Sequence, residues 1–144
     1  MDGAAVVTGA SSGIGEAIAR HLLEGGRTVI ALQRRPPRFK HERLHHYTVD
    51  LADAEATRTV ANEVAARHVV RYLVNNAGVN HPGSVEAVTA GDLDHAMAVN
   101  VRAAMILTQA FSPGMRACRF GRPGNTSSRA ALGKTGRVAY SAAQ

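Results

Sequence analysis

The chain reads as an α/β protein: a doubly wound parallel sheet between helices, in three layers. Three observations predict it. Short apolar, β-branched runs alternate with longer stretches of helical periodicity. The connections between those runs are long enough for crossovers, which parallel strands require. The turns richest in glycine and polar residues follow the carboxyl ends of the runs, where ligands of such sheets bind.

Each element has its own signal. Ala4 to Val7 is a short strand that runs into a glycine-rich turn. Ile14 to Leu23 carries Ile14, Ile18 and Leu22 on one helical face, and Gly25-Gly26 closes the helix. Thr28 to Leu32 is a second strand, ended by the loop that Pro36-Pro37 enforces. Tyr47 to Leu51 reads as a third strand. Asp53 is placed to cap a helix over Ala54 to Arg67. Val69 to Val74 is a fourth strand, and Ala90 to Ala117 reads as one or two helices. Right-handed crossovers between these strands give a Rossmann-type sheet.

Composition narrows the function. Hydrophobic residues make up 45% of 144 residues, enough for one packed domain spanning 1–144. Aromatics are only 4%, so the core rests on Ala, Val, Leu and Ile. The net charge is +6, and the densest basic stretch runs from Arg34 to Arg43. Only Phe39 interrupts it as an aromatic, and nothing resembles a base-reading element, which argues against a nucleic-acid partner. That stretch is either a solvated loop or a phosphate-binding one. No apolar run approaches ~20 residues, so no membrane span is expected. The single cysteine, Cys118, fits a reducing cytoplasm. His45 and His46 would point to opposite faces of a strand, and no spacing suits a metal.

Thr8-Gly9-Ala10-Ser11-Ser12-Gly13-Ile14-Gly15 joins the first strand to the first helix. Gly9 permits the tight turn, Gly13 lets the backbone approach a pyrophosphate, and Gly15 lets the helix pack closely. The helix start offers N–H donors and a positive dipole end to phosphates. Three further signals follow in order: Asn75-Asn76-Ala77-Gly78 after the fourth strand, Asn100 within a helical run, and Ser127-Ser128 shortly before Tyr140-Ser141-Ala142-Ala143. Together these resemble the short-chain dehydrogenase/reductase family, and within it the 3-oxoacyl-carrier-protein-reductase-like members.

The resemblance implies an NAD(P)(H)-dependent oxidoreductase that reduces a carbonyl or oxidises an alcohol, with a small-molecule substrate and a homo-oligomeric assembly. It assigns Gly9, Ser11, Ser12, Gly13, Ile14 and Gly15 to the pyrophosphate and adjoining ribose. Asp50 and Leu51 would meet the adenine, and Asn76, Ala77 and Gly78 would pack along the adenosine ribose. Gln33 stands where a carboxylate would select NAD. With Arg34 and Arg35 behind it, the site favours the 2′-phosphate of NADP(H) over NAD(H). Tyr140 resembles the acid/base tyrosine, and Asn100 would hold a water in the proton relay. Ser128 would polarise the substrate carbonyl by the Asn-x-Ser-Ser alignment, whereas the family's usual serine–tyrosine separation points to Ser127.

The sequence also departs from the family pattern. Gln144 stands where a lysine follows the tyrosine, and a neutral amide brings no charge to assist proton transfer. The chain is expected to stop before the family's last strands, helices and substrate loop, leaving the sheet incomplete on its C-terminal side with an exposed edge. Pro123 and Gly124 argue against a regular fifth strand. An alternative reading is therefore a truncated, catalytically inactive nucleotide-binding module.

Overall fold

The computed structural model describes residues 3–144, and they form a five-stranded, wholly parallel sheet with helices on both faces. In chain order the elements are β1 (Ala4–Thr8), α1 (Gly13–Glu24), β2 (Val29–Gln33), β3 (Leu44–Thr48), α2 (Ala54–Arg67), β4 (Val70–Asn75), α3 (Ala90–Met97), α4 (Ala103–Ala117), β5 (Arg122–Asn125) and α5 (Val138–Ala142). A π-helical turn, Ala98–Arg102, joins α3 to α4, and a 3-10 turn, Arg129–Leu132, lies between β5 and α5.

The strand order is β3-β2-β1-β4-β5. From β1 the chain steps outward to β2 and β3, then returns across both to lay β4 on the other side of β1. That reversal opens a crevice between the carboxyl ends of β1 and β4, where such sheets bind ligands.

Every residue of β1 and β2 is buried, as strands covered on both faces must be. Alternate side chains feed two cores. Val6, Ile30, Leu32 and Leu73 pack with Val64 of α2 and with Leu107, Phe111 and Met115 of α4. Val7, Val29 and Ala31 pack with Ala19 and Leu23 of α1 on the opposite face. Helix α2 starts as its sequence predicts, with the Asp53 carboxylate accepting the Ala56 N–H at 2.9 Å. Thr89 and Asp92 form a reciprocal capping box at α3, and the bonds from the Thr89 backbone and side chain hold the Asp92 carboxyl below its usual range. At the end of α1 the left-handed residue is Gly26, with φ of 80°.

Two expectations need correction. The third strand is Leu44–Thr48, not Tyr47 to Leu51. Its register with β2 pairs Val29 with Leu44 and Gln33 with Thr48, and Val49 is the last residue tied to that strand, through its N–H to the Gln33 carbonyl at 3.1 Å. The apolar run that suggested a later strand reflects burial of Val49 and Leu51 in the turn towards α2. The fifth strand forms despite Pro123 and Gly124, pairing Tyr72 with Arg122 through Asn75 with Asn125. Among the described residues it is an outer strand, exposed along its length, where a proline's missing donor can face away from the ladder. The run from Ala90 to Ala117, expected as one or two helices, is two helices joined without a break by the π turn.

His68 caps the end of α2 and packs between elements. Its ring lies 5.4 Å from that of His45 and its Nε2 is 3.3 Å from the Tyr47 hydroxyl, both on β3.

Helix α1 meets the sheet at Gly15. A Cβ there would lie 2.1 Å from the Gly9 carbonyl oxygen and 2.4 Å from Asn76 Nδ2. Gly15→Ala is therefore expected to cost about 2 kcal/mol through overpacking. At Gly114, within α4, an added Cβ meets nothing within 4 Å. Gly114→Ala is expected to stabilise by about 0.5–1 kcal/mol. Urea unfolding of both variants checks the pair, and equal effects would contradict the packing assigned to Gly15.

Burial, then the charges of His45 and Arg67, hold the His68 imidazole below its ordinary value of 6.5. The unfolded chain therefore takes up this proton first, so the contribution is complete above that value and is lost as pH falls through the lower folded one. Unfolding midpoints measured from pH 7.5 down to 5 should fall with acidity, and His68→Gln should flatten that slope.

Candidate functional site

The crevice is tied together by one threonine. Thr8 Oγ1 accepts the N–H groups of both Asn76 and Ala77 at 2.9 Å and donates to the Val74 carbonyl at 3.4 Å. Asn76 Nδ2 returns the contact, reaching the carbonyls of Thr8 at 3.2 Å and Gly9 at 3.3 Å. Gly9 turns the chain away with φ of 69°, and a Cβ there would meet Ala77 Cα at 3.0 Å. The end of β1 and the turn after β4 are thus one hydrogen-bonded unit.

On one side of that unit lies a cleft of about 400 Å³. Gly9, Ser11, Ser12, Arg34, Arg35, Asp50, Leu51, Asn76, Ala77 and Gly78 all line it, so ten of the residues singled out from the sequence meet here. Gly13 and Gly15 do not line it: Gly13 opens helix α1 and Gly15 is buried behind it. The Ser12 side chain makes no capping bond, so it leaves the first-turn N–H groups to other acceptors. Nothing lies within 4 Å of where a Gly13 Cβ would be. These are the features of an anion cradle.

Gln33, at the end of β2, adds a second feature. It is 6% exposed, its Nε2 donates to the Arg35 carbonyl at 2.7 Å, and its Oε1 has no hydrogen-bond partner. A buried acceptor without a donor is costly, and a ligand hydroxyl would satisfy it. Uncapped donors at one end and an unpaired acceptor with two guanidinium groups at the other fit a dinucleotide's phosphates and ribose. The basic stretch from Arg34 to Arg43 does not act as one patch. Arg34 and Arg35 face this cleft, whereas Arg43 lies at the opposite end of the strands, just before β3 and near Gly3 and Thr28.

Across the Asn76–Val79 segment a larger cleft of about 860 Å³ runs along α4 towards α5. It is lined by Ile14, Asn100, Ser127, Ser128, Tyr140 and Gln144. Asn100 sits in the π turn and clamps the segment between the two clefts. Its Oδ1 accepts the Val79 N–H at 2.8 Å and its Nδ2 donates to the Val79 carbonyl at 3.1 Å. The two serines are used differently. Ser127 donates to the Gln144 carbonyl at 3.4 Å, while Ser128 accepts the Ala130 N–H at 3.2 Å as the cap of the 3-10 turn. Asn75 Nδ2 donates to Asn125 Oδ1 at 2.9 Å, which fastens β5 to β4 at the mouth of this cleft.

Sequence reasoning missed three contributors. Thr8 was read as part of a glycine motif, though a hydroxyl ending a buried strand signals a bonded turn. Asn125 enters the sequence reading only as the start of the Asn-x-Ser-Ser alignment, with no contact to β4 expected of it. Lys134, which lines the larger cleft, carried no motif at all. Among the described residues no group of three His, Cys, Asp or Glu could hold a metal ion. No helix among them is long and apolar enough to cross a membrane. Cys118 is free and half-buried at the end of α4.

Comparison with known proteins agrees with this geometry. The chain is 37% identical to the short-chain dehydrogenase/reductase olcF of Penicillium canescens, over 96% of this chain and 57% of that protein. The crystal structure of a short-chain dehydrogenase from Streptomyces avermitilis superposes with a TM-score of 0.89 at 35% identity, covering 99% of this chain and 55% of that one. A 3-oxoacyl (acyl-carrier-protein) reductase from Agrobacterium tumefaciens C58, solved with NADP bound, gives 0.87 at 29% identity, over 97% of this chain and 58% of that one. The chain thus spans little more than half the length of these relatives. The family model for short chain dehydrogenase matches residues 3–144, nearly everything built around the crevice, and the chain belongs to that family.

Proposed function

We propose that residues 1–144 form the NAD(P)-binding domain of an oxidoreductase of the short-chain type, which interconverts a carbonyl and an alcohol. The observation that carries this reading is the contact between the two clefts. The anion cradle and the Tyr140–Ser128 cleft share Asn76, Ala77, Gly78 and Val79 as their common wall. A dinucleotide lying along the cradle would bring its far end to the tyrosine. When bound, a nicotinamide cofactor would supply the hydride for carbonyl reduction and take it up in alcohol oxidation.

The chain's own residues would do the rest. Gly9, Ser11, Ser12, Gly13, Ile14 and Gly15 would hold the phosphates and neighbouring ribose at the uncapped helix start. Asp50 and Leu51 would bound the adenine. NADP(H) is favoured over NAD(H) because Gln33 brings no negative charge, and Arg34 and Arg35 flank the same cleft with two positive ones. The Tyr140 hydroxyl would pass a proton to or from the substrate oxygen. Ser128 suits the carbonyl-polarising role better than Ser127, because it accepts its backbone bond and keeps its O–H to donate. Asn100 retains one N–H and one lone pair beyond its two bonds to Val79, which leaves room for a bound water.

Leu93, Met97, Val101 and Met105 form an exposed apolar stripe along α3, the π turn and α4. Its four-residue spacing supports a homo-oligomer. One observation favours a second reading: the Gln144 that lines the catalytic cleft is neutral, as expected of a domain that binds nucleotide without turning it over.

Fluorescence titration should give saturable NADPH binding that is tighter than NADH binding. The double variant Arg34→Ala/Arg35→Ala should weaken NADPH roughly tenfold or more while leaving NADH nearly unchanged, since charge-assisted bonds to a phosphate would be lost. Equal losses for both nucleotides would contradict the NADP(H) preference.

Tyr140→Phe should abolish carbonyl reduction, followed by loss of NADPH absorbance, and leave NADPH affinity within about twofold. A wild-type chain that binds NADPH but reduces no carbonyl compound in a panel would favour the second reading.

A further inference from the structure

The larger cleft is electrically plain except at one point. Its walls are amides, hydroxyls and apolar groups: Asn75, Asn76, Asn80, Asn100 and Asn125 among the first, and Thr108, Ser127, Ser128 and Tyr140 among the second. Lys134 is the one charged side chain that lines it, and no Asp or Glu lines it to pair with that ammonium. The arginines of the nucleotide cleft, Arg34 and Arg35, lie on the other side of the Asn76–Val79 wall.

Lys134 is not carried on a loose strap. It precedes α5 in a turn bounded by two glycines with positive φ, Gly133 at 102° and Gly136 at 70°. The Gly133 N–H bonds the Ala130 carbonyl at 2.9 Å, and the Arg137 N–H bonds the Lys134 carbonyl at 3.2 Å. Gly83 then fastens the turn from outside. Its N–H donates to the Gly136 carbonyl at 2.9 Å, and it pairs with Arg137 as an isolated parallel bridge. Ala139 and Ala143 of the same segment pack against Ala96 of α3. The turn is held on both sides, so the lysine is delivered to the cleft by the fold.

We propose that Lys134 is a specificity determinant, and that the substrate is a carbonyl or alcohol compound carrying an anionic group, a carboxylate or a phosphate. The inference rests on the oxidoreductase reading above for the word substrate, and on the cleft's charge alone for the anion. A single ammonium in neutral surroundings attracts a compact anion at whatever angle it arrives, because Lys presents a point charge rather than a fixed fork. A substrate whose charge sits on Lys134 would have its uncharged carbonyl end left for Ser128 and Tyr140, which line the same cleft.

Amide-proton NMR titrations of the 144-residue chain, followed at Gly133, Thr135 and Gly136, test this with matched probes. One pair is levulinate and methyl levulinate; the other is dihydroxyacetone phosphate and dihydroxyacetone. The anionic member of at least one pair should bind at least about fivefold tighter than its neutral twin. Whichever pair discriminates more identifies carboxylate or phosphate. Lys134→Gln should erase the preference, and Lys134→Arg should restore most of it. Equal binding of both twins, or a preference that survives Lys134→Gln, would overturn the proposal. So would a tenfold loss of NADPH affinity in Lys134→Gln, since the lysine would then serve the nucleotide. If NADPH fails to bind while the anion preference persists, the oxidoreductase reading fails and the Lys134 site stands.

Discussion

Helix α1 can reach the sheet only because residue 15 has no side chain. The Gly9 carbonyl and the Asn76 amide occupy the space that a Cβ would need, and both belong to the unit that Thr8 holds together. Close approach, strand pairing and the anion cradle are therefore one constraint. If α1 were pushed outward, its first-turn donors would leave the crevice. Both clefts are built outward from this contact, which explains why residues far apart in sequence, from Gly9 to Tyr140, serve one region.

The parts of the fold that were legible in the sequence are those where a local pattern and the global packing ask for the same residue. The buried strands β1 and β2 are nearly pure Ala, Val, Ile and Leu, and the cap at Asp53 and the glycine turn each have one stereochemical solution. Legibility failed where packing overrides pattern. Strand β3 is half-exposed, so its His45 and His46 hide it, while Val49 and Leu51 imitate a strand because they are buried in a turn. Strand β5 carries Pro123, which local preference rejects, yet pairing with β4 from one side needs no donor on the other. For the site, the glycine and asparagine positions were legible because backbone geometry dictates them. The use of Thr8 and the exposure of Lys134 to the cleft depend on tertiary arrangement, and nothing in the linear sequence marks them.

The π turn at Ala98–Arg102 adds a constraint of its own. One widened turn within an otherwise continuous helix changes the angular register of everything after it. Here it faces Asn100 to Val79, so that the side chain can spend one acceptor and one donor on the same residue's backbone. The wall between the clefts is then held from two directions, by Thr8 on the β1 side and by Asn100 on the α4 side. A wall fixed in this way can keep a fixed separation between whatever lies in the cradle and whatever lies near Tyr140. That is the requirement for hydride transfer between two bound molecules, since misplacement by about 1 Å is costly in rate.

The charge layout bears on how Gln144 should be understood. A lysine at that position would put a positive charge within the cleft from α5's end; this chain instead brings its one charged side chain there through Lys134, from the turn before α5. The two arrangements differ in what they favour. A charge fixed beside the tyrosine acts on the tyrosine, whereas one carried on the turn before α5 can act on whatever enters the cleft. Gln144 also has a structural part, because its carbonyl accepts the Ser127 hydroxyl and ties the segment after β5 to the end of α5. That bond commits Ser127 and leaves Ser128 to donate, so Gln144 bears on which serine is available even though it brings no charge. The end of α5 therefore belongs to the site through its backbone, and the electrostatics of the cleft are set elsewhere.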